Sequence, residues 1–135
     1  MNILIVDNSA RMRRTIRSLL AGPAHEIFEC DDGNQALAAY QAHRPDWVLM
    51  DIGLKEVDGI VITGALMAAF PEAKVVIVTD YDDTRLRQAA QKAGACAYLL
   101  KEDLFQLRVI ITASSDTTGD AANSGYEKLK PGAIL

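Results

Sequence analysis

The sequence predicts an α/β domain built on a doubly wound, five-stranded parallel sheet. Two observations lead there: five short apolar runs alternate with stretches of helical period, and each run is apolar on both of its faces. A strand needs apolar residues on both sides only when helices cover the sheet above and below. The length adds a third constraint, since 135 residues suffice for one domain that folds without disulfides or a structural metal.

Taken in order, residues 2–6 (Asn-Ile-Leu-Ile-Val) form the first buried-strand pattern. Residues 9–21 then place Met12, Ile16, Leu19 and Leu20 on one helical face and four arginines elsewhere, until Gly22-Pro23 stops the helix. Residues 25–30 read as a weaker, mixed strand. Asp31-Asp32-Gly33 is a turn and cap, followed by an Ala-rich helix over 34–42. Trp47-Val48-Leu49-Met50 is the third strand and stops at Asp51. Residues 59–70 carry Ile60, Leu66, Met67 and Phe70 at helical spacing and end at Pro71. Residues 74–78 are the most strand-like run. Asp82 or Asp83 caps a helix that reaches Lys92 and is stopped by Gly94. The fifth strand covers 96–100. A last helix over 104–113 sets Leu104, Leu107 and Ile111 at helical spacing against the β-branched run Val109-Ile110-Ile111-Thr112. From 114 on the composition turns to Ser, Thr, Asp, Gly, Asn and Ala, so the reading is one domain over 1–113 and a tail over 114–135, flexible or an interaction peptide.

Composition narrows the function. With 14 Lys and Arg against 18 Asp and Glu the formal charge is -4, the wrong sign for nucleic acid as main partner. The only dense cationic cluster, Arg11, Arg13, Arg14 and Arg17, fits one helix and reads mainly as a solvated face. No run approaches a membrane span, and the apolar start followed by arginines reverses a signal peptide, so a cytoplasmic location is expected. Cys30 and Cys96 lie far apart in apolar runs and fit buried thiols better than a disulfide or metal ligands. Trp47, Met12 and Met67 read as core, and His25 and His43 as surface residues without partners.

Ligands of open parallel sheets bind outside the carboxyl ends of the strands, at the point where strand order reverses. Those ends read Asp7-Asn8, Asp51, Thr79-Asp80 and Lys101. One edge thus gathers carboxylates, an amide, a hydroxyl and an ammonium. Carboxylate and carbonyl oxygens suit Mg²⁺, which keeps waters and leaves room for a phosphoryl oxygen. Lys101 offers a point charge and Thr79 a hydroxyl to a phosphoryl group carried on Asp51.

With these residues in place, the chain over 3 to about 113 resembles the receiver domain of the two-component response regulators, both single-domain chemotaxis regulators and receivers that precede helix-turn-helix output domains. The resemblance rests on Val6-Asp7-Asn8-Ser9-Ala10-Arg11-Met12-Arg13-Arg14, on Leu49-Met50-Asp51 with Gly59 eight residues on, on Val76-Ile77-Val78-Thr79, and on Gly94-Ala95-Cys96-Ala97-Tyr98-Leu99-Leu100-Lys101. It implies a flavodoxin-like (βα)5 receiver fold and a phosphoacceptor, Asp51, charged by a sensor histidine kinase, a phosphotransfer protein or a small donor. It also implies Mg²⁺ held by Asp7, Asn8, Asp51 and the backbone carbonyl of Gly53, with Lys101 and Thr79 on the phosphoryl group. Tyr98 would then shift inward and alter a face that suits a downstream protein or a second copy of the chain. No DNA-binding output is expected, nor enzyme activity beyond self-phosphotransfer and autodephosphorylation.

The chain departs from the family at several points. Asn8 stands where a second acid is usual, Lys55 where the loop usually carries proline, and Glu102 where many members have a cis-proline. Asp80 beside Thr79 repels a phosphoryl group if it faces inward and is mere solvated charge if it faces out. Gly53 and Tyr81 occupy places that help set phosphate lifetime. These departures keep a second reading open, a receiver-like adaptor independent of phosphate. An enzyme on the same sheet is disfavoured by Gly53 at the second-acid place of a dehalogenase-like phosphatase and by the absence of a Walker loop.

Overall fold

Strand β1 (Asn2–Val6) forms from four consecutive fully buried side chains, Ile3 to Val6, a run that water cannot reach on either face. The computed structural model describes residues 1–22, 25–54 and 57–115, and in it β1 is joined by β2 (Glu26–Cys30), β3 (Trp47–Met50), β4 (Val75–Thr79) and β5 (Ala97–Leu100). The sheet is parallel throughout, in the order β2-β1-β3-β4-β5. Helices α1 (Ala10–Leu20), α2 (Ala36–His43), α3 (Gly59–Ala69) and α4 (Thr84–Ala93) make the crossovers, and α5 (Leu107–Ser115) follows the last strand. This is the expected (βα)5 order. The chain winds outward from β1 to β2, then returns past β1 to β3, so strand order reverses between β1 and β3.

Alternation along each strand divides the core in two. Leu4, Val6, Val48, Met50, Val75, Ile77, Tyr98 and Leu100 meet Tyr40, Ile62, Leu66 and Ala90 of α2, α3 and α4. Ile3, Ile5, Trp47, Leu49, Val76, Val78, Ala97 and Leu99 meet Ile16, Leu20, Leu107, Ile110 and Ile111 of α1 and α5. The starts of α1, α3 and α4 near the upper edge are each fixed by a short polar side chain. Ser9 accepts from the Met12 amide at 3.1 Å, Asp58 from Ile60 at 2.7 Å, and Asp83 from Arg85 and Leu86 at 2.8 and 3.1 Å. Gly59 opens α3 where a Cβ would collide with the Asp51 carbonyl oxygen, so glycine alone lets this loop close over the end of β3.

Several expectations are corrected. The second helix does not start at 34: Asp32 accepts from the Asn34 amide at 2.9 Å, which winds Gly33–Gln35 into a 3-10 turn before α2 begins. The last helix does not start at 104 or end at 113. A 3-10 turn occupies Lys101–Gln106, and α5 continues to Ser115 because burial of Leu107, Ile110 and Ile111 overrides the β-branched preference. Helical structure therefore passes two residues into the segment read as tail; 116–135, Pro23 and Lys55 lie outside the described residues. His25 is half-buried, and exposed His43 has a partner after all, its ring stacked on Phe28 with centroids 3.8 Å apart. Both cysteines are free thiols, Cys30 packing on the α2–α3–α4 side and Cys96 on the other. Arg13 and Arg17 are not merely solvated. They grip the two oxygens of Glu29 on β2 at 2.8 and 2.6 Å.

Candidate functional site

The upper edge is built by backbone first. The ladder continues one residue past the strands, with the Asp7 amide on the Cys30 carbonyl at 3.1 Å and the Asp51 amide on the Val6 carbonyl at 3.0 Å. Asp7 and Asp51 are thus held side by side on β1 and β3, across the reversal of strand order. Two further bonds hold the Asp7 segment: the Ser9 amide donates to its Oδ1 at 2.8 Å, and Arg13 donates to its carbonyl at 2.7 Å. The Gly53 amide donates to Asp51 Oδ1 at 3.3 Å. Both acids are nearly inaccessible, 2% and 7% exposed, although neither is apolar.

Lys101, the first residue past β5, reaches over β4 to both. Its Nζ stands 3.6 Å from Asp7 Oδ2 and 3.6 Å from Asp51 Oδ1. Burial raises the Asp51 pKa from its ordinary value, the neighbouring Asp7 charge adds to the rise, and Lys101 and the Gly53 amide oppose it. One ammonium therefore serves two buried carboxylates. Asp80 points outward, with 73% of its side chain exposed, yet its Oδ2 still lies 4.0 Å from the same ammonium.

The expected hydroxyl and ring form a second group. Thr79 is fully buried, and its Oγ1 accepts from the Tyr81 amide at 3.2 Å. Tyr98 is fully buried as well, and its hydroxyl donates to the Tyr81 carbonyl at 2.5 Å. Tyr81 thus ties the two by its backbone while its own side chain stays exposed. Arg87 from α4 covers the Tyr98 ring at 4.8 Å and pairs with Asp82 at 2.8 Å. The Tyr98 ring, expected to shift inward, lies inside in this structure. Asn8 and Gly53 sit exposed at the rim beside the two acids.

Three contributors escape sequence reading. The Tyr81 carbonyl is a backbone atom and leaves no mark in a sequence. Arg13 and Arg87 appear only as members of charged helices, and their targets depend on tertiary register.

Residues 3–121 match the family profile of the response regulator receiver domain. The chain belongs to that family. The chemotaxis protein CheY of Bacillus subtilis is 32% identical over 116 residues, covering 85% of this receiver and 95% of that protein. The transcriptional regulatory protein DegU of Brevibacillus brevis is 33% identical over 102 residues, 74% of this chain but only 43% of its own length. The response regulator MprA of Mycolicibacterium vanbaalenii is 28% identical over 134 residues, with 58% of its length covered, so the receiver spans about half of such longer relatives. Among solved structures, a two-component response regulator of the LuxR family from Aurantimonas superposes with a TM-score of 0.79 at 27% identity, over 90% of this chain and 92% of that one. The CheY of a CheX–CheY–BeF3–Mg²⁺ complex from Borrelia burgdorferi shares the fold, with a TM-score of 0.79 at 22% identity over 87% and 90% of the two chains. This chain is therefore a receiver module of two-component signalling, a class that signals through kinases or phosphotransfer proteins and downstream partners. No helix among the described residues is long and apolar enough to cross a membrane.

Proposed function

We propose that Asp51 is the phosphoacceptor of this receiver, charged by a histidine kinase, a phosphotransfer protein or a small phosphodonor. The observation that carries the reading is the placement of Lys101 Nζ at 3.6 Å from both buried acids across the reversal of strand order. A phosphoryl group on Asp51 brings new negative charge to an ammonium already in place, and Lys101 needs no rearrangement to meet it. The Thr79 hydroxyl, which accepts from the Tyr81 amide and lies against the Tyr98 hydroxyl, is the second donor.

The donors suit Mg²⁺. Two crowded carboxylates, with the Asp51 pKa lifted first by burial and then by the Asp7 charge, leave negative charge that one lysine does not cancel, and the oxygens are hard. Asp7 and Asp51 would hold the ion, together with the Asn8 amide oxygen and the Gly53 carbonyl. When bound, Mg²⁺ neutralises charge on the transferring phosphoryl oxygens. Asn8 adds a ligand without charge, so affinity is lower than with an acid there. Thr79 and Tyr98 then report the event to the α4–β5 face, where a downstream protein or a second copy binds.

Intact mass after incubation with acetyl phosphate and Mg²⁺ tests the assignment: one phosphoryl adduct on the native chain and none on Asp51→Asn. An adduct that survives Asp51→Asn places the acceptor elsewhere. Asn8→Asp is expected to tighten Mg²⁺ binding about tenfold, measured by calorimetry, through one added ligand charge. Trp47 fluorescence is a poor substitute, because Trp47 is buried at the opposite end of β3 under Lys74. Unchanged affinity removes Asn8 from the metal shell.

One observation favours a second reading. The Tyr98 ring is fully buried and its hydroxyl is bonded to the Tyr81 carbonyl, which suits an adaptor whose binding face is fixed. No adduct on a folded sample would select it.

A further inference from the structure

The loop after β4 carries three acids, and the structure uses two of them. Asp83 caps α4 by accepting from the Arg85 and Leu86 amides, and Asp82 pairs with Arg87. Asp80 is spent on neither task. Its carboxylate stands at the mouth of the site, 73% exposed, and its one ionic contact among the described residues is the 4.0 Å approach to Lys101 Nζ. That ammonium is the same one shared by the buried Asp7 and Asp51, whose side chains are only 3% and 9% exposed. A group that comes to Asp51 from water passes near the exposed Asp80 charge, which also lies against the Lys101 ammonium.

We propose that Asp80 selects the phosphodonor: its carboxylate disfavours small dianionic donors and leaves the site to donors that bring positive charge of their own, such as a phosphohistidine on a basic protein surface. The proposal rests on Asp51 being the phosphoacceptor. In the transfer an Asp51 carboxylate oxygen forms the new P–O bond while the donor's bond to phosphorus breaks. With acetyl phosphate a P–O bond breaks and acetate leaves with the electron pair. With phosphoramidate, protonated on nitrogen, a P–N bond breaks and ammonia leaves with it. The two donors deliver the same group to the same atom, but the first arrives as a dianion and the second as a zwitterion of lower net charge. An exposed carboxylate at the mouth repels the first more strongly, and salt screens that repulsion.

The experiment follows adduct formation by intact mass on the native chain, Asp80→Asn and Asp80→Ala, with each donor, in Mg²⁺ buffer at low and at high salt. Asp80→Asn is expected to raise the acetyl phosphate rate about three- to tenfold at low salt and the phosphoramidate rate clearly less, with the advantage shrinking at high salt. Asp80→Ala should match Asp80→Asn, because the charge and not the side-chain volume is responsible. Equal gains with both donors, a gain indifferent to salt, or no gain would overturn the proposal while leaving Asp51 as acceptor. Absence of adduct on all three chains with both donors would instead overturn the acceptor assignment, and this proposal with it.

Discussion

Full burial takes the Tyr98 phenol out of water and pushes its pKa up from 10.0 to about 12, with Arg87 opposing, Asp83 and Asp82 reinforcing, and the Thr79 hydroxyl opposing. The folded chain keeps this proton over a range in which the unfolded chain has lost it. The resulting stability is fully present below pH 10.0 and disappears as pH rises to about 12. Tyr98→Phe should therefore cost about 1 kcal/mol at neutral pH, from the lost bond to the Tyr81 carbonyl, yet lose stability less steeply on the alkaline side. Urea unfolding at a series of pH values measures both. The slope shrinks rather than vanishes, since burial also raises the Cys96 thiol from 9.0 to about 11. An alkaline slope equal to that of the parent would mean that Tyr98 ionises as freely folded as unfolded.

At the scale of elements, α4 is the lightly anchored one: it buries Ala90 alone, where α3 buries Gly59, Ile62, Thr63 and Leu66. Its attachment relies on the Asp83 cap, on Gly94 in the left-handed region at φ 107°, and on Arg87 over Tyr98. Asp83→Ala should cost about 1 kcal/mol and speed amide exchange in α4 more than in α3. Uniform acceleration across both helices would show that α4 opens only with the whole domain. The strands and their order of appearance were legible because residues buried on both faces have no polar alternative to offer. The details that were not legible arise where a local bond or a distant surface decides. The start of α2 yields to an Asp32 side chain, the span of α5 to a core it cannot see in its own sequence, and the Arg13 and Arg17 pairing to where β2 sets Glu29. At the site, the acids and Lys101 were readable as the residues just past apolar runs. The Tyr98 seat and its Arg87 cover were not, since neither follows from spacing.

At the scale of the molecule, the charge balance of the site spans the sheet. Lys101→Met should destabilise the fold by roughly 2–3 kcal/mol, because two buried carboxylates lose their counter-charge. Much of that loss should return in the double variant Lys101→Met, Asp51→Asn, read as a coupling in a double-mutant cycle. Independent, additive losses would show that the 3.6 Å approaches are not energetically joined. Asp51→Asn alone enters the same cycle and tests whether a carboxyl with a raised pKa costs stability at neutral pH.

The position of the ammonium also orders events in time. Asp7 and Asp51 end two strands that pair directly in the middle of the sheet, whereas Lys101 follows an edge strand that comes later in the chain than either. A nascent chain emerging from the ribosome exposes both acids and can pair β1 with β3 well before their counter-ion has been made. Until β5 docks, the half-built sheet carries its own electrostatic brake, and arrival of the final strand releases it.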